Sequence, residues 1–138
     1  MDQSPIEQLL VAIDGRDLEA AMALVAPDVQ VLAADGRHAD GGQAARELIE
    51  SFLIELRSST HQITAQWHVD DVWIAELEAS YVLKDWLQMN AVPRVMVLRE
   101  GPDGIAEMHF YGAHELPLTD HRSPEQGTWL GARWIPPL

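Results

Sequence analysis

Between Thr60 and Leu83 the chain alternates apolar and polar positions over two long stretches. His61, Ile63, Ala65, Trp67 and Val69 share one face of the first; Trp73, Ala75, Leu77, Ala79, Tyr81 and Leu83 share one face of the second. The opposite positions carry Gln62, Thr64, Gln66 and His68, then Glu76, Glu78 and Ser80. A period of two belongs to a strand with one face buried, so the pattern predicts a hairpin turning at Asp70-Asp71. His61 breaks the rule: it is polar, yet it stands in register with the apolar face.

Upstream the period is helical. Ile6, Leu9, Leu10 and Ile13 recur at i, i+3, i+4 and i+7, behind a start signal of Ser4, Pro5 and Glu7. Gly15 is expected to end this helix in a left-handed conformation. Asp17 caps a second helix with the stripe Leu18, Ala21, Met22 and Val25, and Pro27 stops it. A short strand is predicted over Val29 to Ala33. A third helix is predicted from Gln43 to Arg57, with the stripe Leu48, Ile49, Phe52, Leu53 and Leu56. Two further strands, Met89 to Arg99 and Ile105 to His114, flank the turn Gly101-Pro102-Asp103-Gly104. Glu115 to Leu138 has no clear period but carries Trp129, Leu130, Trp134 and Ile135, too aromatic for a solvated tail, so it is expected to dock as a cover.

Helices first and strands afterwards define an α+β fold. The sheet must curl around the three predicted helices to bury one face, and a curled sheet leaves a concave pocket. At 138 residues the chain reads as a single domain, with its core over about 5–114 and a C-terminal tail over 115–138.

Charge and composition then narrow the partners. The formal net charge is −13 and only nine Lys and Arg are spread along the chain, which argues against nucleic acid. A neutral or cationic small molecule fits better than a polyanion. No cysteine is present, so thiolate metal sites and disulfides are excluded. No apolar run is long enough to span a bilayer, so no membrane partner is expected. The start M-D-Q-S-P lacks the pattern of a secretion signal, and a cytoplasmic setting is expected.

The order of elements, with D-G-R-D at 14–17, A-P-D at 26–28, V-Q-V at 29–31 and Gly41-Gly42 before the third helix, resembles the SnoaL-like proteins of the nuclear-transport-factor-2-like superfamily. The resemblance spans roughly residues 5–114. It implies a cone-shaped curled antiparallel sheet wrapped on three helices, an apolar pocket and a homodimer. Its members include isomerases, cyclases, dehydratases and proteins without catalysis. The positions that would carry ketosteroid isomerase chemistry are Leu9, Ala33 and Val95 here, and Phe110 stands where limonene epoxide hydrolase needs an aspartate. The scytalone dehydratase-type branch fits better. Thr60-His61 looks like its strand histidine, and Asp14, twelve residues before Ala26, looks like the aspartate that orients it. That branch has a tyrosine where Ala33 stands. The resemblance implies no metal and no organic cofactor.

An imidazole titrates near neutrality and moves protons, and a carboxylate on one ring nitrogen sets its tautomer. His61 and Asp14 are therefore the expected proton-transfer pair; the plainer reading is a structural histidine beside a helix end. Tyr81, on the apolar face, would polarise a carbonyl or simply fill the core. Trp67, Trp73, Leu77, Val95, Phe110 and Phe52 are expected to line the substrate pocket, with His114 near its mouth. Met108, Phe110, Gly112 and His114 are assigned to the pocket face by the alignment, and His109 and Tyr111 to the outer face. Val95 and Val97 are placed inward, which puts Arg94, Met96 and Leu98 outside as part of a dimer surface. Asp35, His38 and Asp40 near the mouth, and His68 with Asp70 and Asp71, read as turn residues rather than ligands. The expected function is cofactor-free dehydration, isomerisation or cyclisation of a mostly apolar carbonyl or hydroxyl substrate. The alternative is a non-catalytic ligand-binding or dimerisation protein of the same fold.

Overall fold

A computed structural model describes residues 3–112, together with the backbone of 128–130 and 133–135. Three helices come first: α1 (Pro5–Asp14), α2 (Leu18–Ala23) and α3 (Gly42–Ile54). Strands β1 (Val25–Leu32) and β2 (His38–Asp40) lie between α2 and α3; β3 (Leu56–Val69), β4 (Val72–Leu83), β5 (Gln88–Gly101) and β6 (Gly104–Gly112) come after α3. Strands β7 (Thr128–Leu130) and β8 (Arg133–Ile135) form a separate two-stranded ladder. The expected docking of the tail otherwise falls outside the described residues, as does His114. Among the described residues, no helix is long and apolar enough to cross a membrane.

The six-stranded sheet runs β2-β1-β6-β5-β4-β3, curled and unclosed, with β2 and β3 at its edges. Its ladders are antiparallel except that β1 and β6 are parallel. Local periodicity does not specify that pairing, because the two strands are joined through α3 and four other strands.

The helices form as their sequence dictates. Ser4 Oγ accepts from the Glu7 N–H at 3.1 Å, and Asp17 Oδ1 from the Ala20 N–H at 3.0 Å, satisfying donors that a helix start leaves free. The left-handed residue after α1 is Arg16, at φ 57°, rather than Gly15, at φ −79°. Arg16 reaches the Leu53 carbonyl at the end of α3, tying the two helices together. Helix α2 stops at Ala23, so Val25 pairs with Ile105 in the sheet instead of extending the helical stripe.

Ile6, Leu9, Leu10 and Ile13 of α1 and Ile49 and Leu53 of α3 pack on Ala75, Leu77, Met96, Leu98 and Met108 of the sheet. Arg94, Met96 and Leu98 therefore share the inner row, opposite Leu77, Ala75 and Trp73 across β4 and Gly112, Phe110 and Met108 across β6. This reverses the expected facing of β5. A bulge at Asn90-Ala91, with Ala91 at φ 53°, lies between the Tyr81–Met89 and Ala79–Val92 pairs and sets the phase of the strand from Val92 onward.

A second bulge corrects the expectation for Trp67. The register shifts between Ile63 and Ala65, and the Thr64 hydroxyl donates to the Glu76 carbonyl at 3.2 Å. One inserted residue exchanges the two faces of the strand. Gln66 and His68 then pair with Ala75 and Trp73 of the inner row, whereas Trp67 pairs with Ile74 and is 49% exposed.

Candidate functional site

Strand β3 is an edge strand, so alternate backbone N–H groups point away from β4 and need partners. Asp14, the last residue of α1, supplies one. Its Oδ2 accepts from the His61 N–H at 3.0 Å, while its Oδ1 accepts from the Ser59 hydroxyl at 2.7 Å and lies 2.7 Å from His61 Nδ1. A carboxylate at a helix C-terminus faces the negative end of the helix dipole. The three hydrogen bonds offset that cost and hold the group still.

A carboxylate only accepts, so Nδ1 carries a proton, and the neutral tautomer that this selects has its lone pair on Nε2. The His61 side chain is 7% exposed and lines a cavity of about 460 Å³. Among the described residues, no buried side-chain nitrogen or oxygen lacks a partner, and Nε2 has none in the protein, so that nitrogen opens onto the cavity.

The cavity walls come from three directions. Helices α1 and α3 contribute Leu10, Ile13, Leu48, Ile49 and Phe52. The inner row of the sheet contributes Leu77, Tyr81, Arg94, Met96 and Phe110. The segment after β1 brings Asp35 and Arg37, which bind each other at 2.6 Å. Tyr81 is 3% exposed, its ring edge-on to His61 and to Phe52 with centroids 5.9 Å apart in each case.

Burial pushes the Tyr81 phenol above its ordinary 10.0, and the charge and hydrogen bonding of Arg94 pull it part of the way back. The phenol is therefore a proton donor at neutral pH. The folded pKa lies above the unfolded one, so this contribution to stability is complete below about pH 10 and is lost as pH rises through the folded value. Denaturant midpoints taken at rising alkaline pH should fall more steeply for the wild type than for Tyr81→Phe. Parallel slopes would show that Tyr81 ionises as freely in the folded chain as in the unfolded one.

Of the residues expected from sequence, His61, Tyr81, Leu77, Val95, Phe110 and Phe52 line the cavity, and Asp14 stands directly behind His61. Val95 belongs by alternation to the outer row, paired with Tyr111, and both reach the cavity where the sheet curls. Trp67 and Trp73 do not line it. The bulge turns Trp67 outward, and Trp73 stands eight residues along β4 from Tyr81, roughly 26 Å at strand rise. There Trp73 stacks on His68 at 3.7 Å between centroids and donates to Glu100. Ser59 went unnoticed in the sequence, and Arg94, expected on the outer dimer surface, lines the cavity instead. The signal for Arg94 was a charge inside the run V-P-R-V-M-V-L at 92–98. Among the described residues, no three His, Asp or Glu side chains gather as metal ligands.

By sequence, neither a family profile nor a curated protein matches the chain. Solved structures match well. A protein from Catenulispora acidiphila with a ketosteroid isomerase-like fold, in complex with trimethylamine, superposes at TM-score 0.72 with 18% identity, covering 80% of this chain and 86% of that one. A protein from Shewanella denitrificans assigned as a SnoaL-like polyketide cyclase gives TM-score 0.68 at 9% identity, with 78% and 86% covered. An epoxide hydrolase from M. tuberculosis, similar to limonene epoxide hydrolase, gives 0.68 at 14% identity, with 78% and 79% covered. The chain thus has the α+β fold of the SnoaL-like and nuclear-transport-factor-2-like proteins. None of these likenesses supports the scytalone dehydratase-type branch expected from Asp14 and His61.

Proposed function

We propose that the protein is a small-molecule enzyme that moves a proton on a mostly apolar carbonyl or hydroxyl compound, in a dehydration, isomerisation or cyclisation. The observation that carries this reading is Asp14, which holds His61 Nδ1 at 2.7 Å so that Nε2 faces an apolar cavity. Nε2 takes a proton from carbon beside the carbonyl, and Asp14 stabilises the imidazolium that forms. The Tyr81 hydroxyl donates to the oxygen on which charge develops. The imidazolium then returns its proton to another carbon or to a departing hydroxyl. The cyclase and hydrolase neighbours support an enzyme of this fold, and the trimethylamine complex of the Catenulispora acidiphila protein supports a small-molecule ligand.

The test is exchange of the α-protons of 2-tetralone in D2O, monitored by proton NMR. The expected result is acceleration by the full chain over buffer that disappears when the protein is heat-denatured. Binding of 2-tetralone without acceleration would instead identify a carrier.

We propose a homodimer through the outer face of the sheet. Trp67, Ile74, Val97 and His109 form one row across it, and Ala65, Glu76, Val95 and Tyr111 the next. Trp67 and Tyr111 are 49% and 46% exposed, a large apolar surface for a lone sheet face. Light scattering should give twice the chain mass, and Trp67→Glu the single mass. A wild type that stays monomeric at every concentration would rule the interface out.

A further inference from the structure

Arg94 places a cation in a cavity whose walls are mostly apolar. It lies in the inner row of β5 between Leu77 and Gly112, with its guanidinium carbon 5.9 Å from the centre of the Tyr81 ring. The space it occupies exists because residue 112 is glycine. A β-carbon there would come within 2.9 Å of Arg94 Cζ and 3.0 Å of Cδ, and closer still to Nη1. The missing side chain is thus a notch that lets the guanidinium lie against β6, facing the cavity.

Other charges also line or back the cavity. Asp35 and Arg37 bind each other, Asp14 is held by Ser59 and His61, and Glu55 is exposed at the end of α3. A guanidinium presents five N–H donors in a planar fork that matches a carboxylate, so it serves more than one partner at once. A carboxylate in an apolar cavity is costly unless paired, and the Arg94 fork supplies the pairing. We infer that the ligand is an organic acid, with its apolar body against Phe52, Leu77 and Phe110 and its carboxylate on Arg94. This rests on the cavity being the ligand site proposed above and names the class of that ligand.

Isothermal titration of the full-length chain with 2-naphthoate and with the uncharged, similarly shaped 2-naphthamide tests the inference. The acid should bind at least about tenfold more tightly, the step expected of one charge-assisted bidentate contact. Arg94→Met should bring the two affinities within about twofold while leaving the amide's affinity in place, which shows that the cavity is still formed. Gly112→Ala, which keeps the arginine but fills its notch, should weaken the acid selectively. His61→Gln should preserve the preference for the acid. Equal affinities in the wild type, binding of neither compound at millimolar concentration, or a preference that survives Arg94→Met would overturn the inference. So would a preference lost in His61→Gln and kept in Arg94→Met, which would place the anion on the imidazolium. The exchange assay is read independently: no exchange with 2-tetralone alongside an intact preference for naphthoate would sink the proton-transfer proposal and leave the organic-acid site standing.

Discussion

His61→Ala should lower the rate of 2-tetralone exchange by about 100- to 10,000-fold, the usual contribution of a positioned general base. The effect is large because no other imidazole among the described residues lines the cavity. Asp14→Asn should cost nearly as much for a different reason. An amide can donate to Nδ1, which favours the tautomer that carries its proton on Nε2 and has no base facing the ligand. The double variant should be little slower than the worse single one, since the two groups act as a unit. Multiplying losses would mean that they act separately. Ser59→Ala removes one of the three hydrogen bonds on Asp14 and should cost much less than either. Asp14→Asn should also lower stability by about 1–3 kcal/mol, because a donor that Asp14 now satisfies loses its acceptor. A folded His61→Ala protein with wild-type exchange would return His61 to a structural role.

Gly104→Ala should be among the most destabilising single substitutions. Gly104 has φ +125°, and a β-carbon there would lie 2.8 Å from the Leu24 carbonyl oxygen, 3.0 Å from Val25 C and 3.1 Å from Ala26 N. Every one of these atoms is backbone, so no side chain can swing away. Immediately beside it the Ile105 N–H donates to the Leu24 carbonyl at 2.9 Å, where the parallel β1–β6 ladder begins. Strained backbone alone costs about 1–3 kcal/mol, and the displacement of β1 adds to it. The sum should be at least about 3 kcal/mol, a fall of roughly 10 °C in melting temperature for a domain of this size. Gly36→Ala separates the two contributions. It also has positive φ, +90°, but a β-carbon there meets nothing within 4 Å. Its loss should be confined to backbone strain. If both variants melt at the same temperature, the approach of the β5–β6 turn to β1 is not the tight contact it is taken to be.

Much was legible in the chain because local patterns carried it. The caps at Ser4 and Asp17, the α1 stripe and the turn at Asp70-Asp71 are short-range features whose partners lie within a few residues. The alternation Ala75, Leu77, Ala79, Tyr81, Leu83 set the inner face of β4 correctly, because the positions between them include Glu76, Glu78 and Ser80. His61 stood out by the same logic, as one polar residue in an apolar row, and the resemblance paired it with Asp14.

Other features depended on long-range geometry. A bulge leaves no mark on sequence period, and the one at Thr64 moved Trp67 from the expected pocket to the outer face. On β5 both parities are largely apolar, with Met96 and Leu98 on one and Val95 and Val97 on the other, so the pattern could not decide the facing. The bulge at Asn90-Ala91 and packing against Leu77 and Phe110 decided it, and with it the inward course of Arg94. The sequence by itself determined an acidic α+β chain with a histidine–aspartate pair, and its net charge of −13 pointed away from anions. Only the tertiary structure placed a cation beside Tyr81. At physiological salt, exposed charges are screened over about 8 Å, so within the cavity the adjacent guanidinium outweighs distant surface carboxylates.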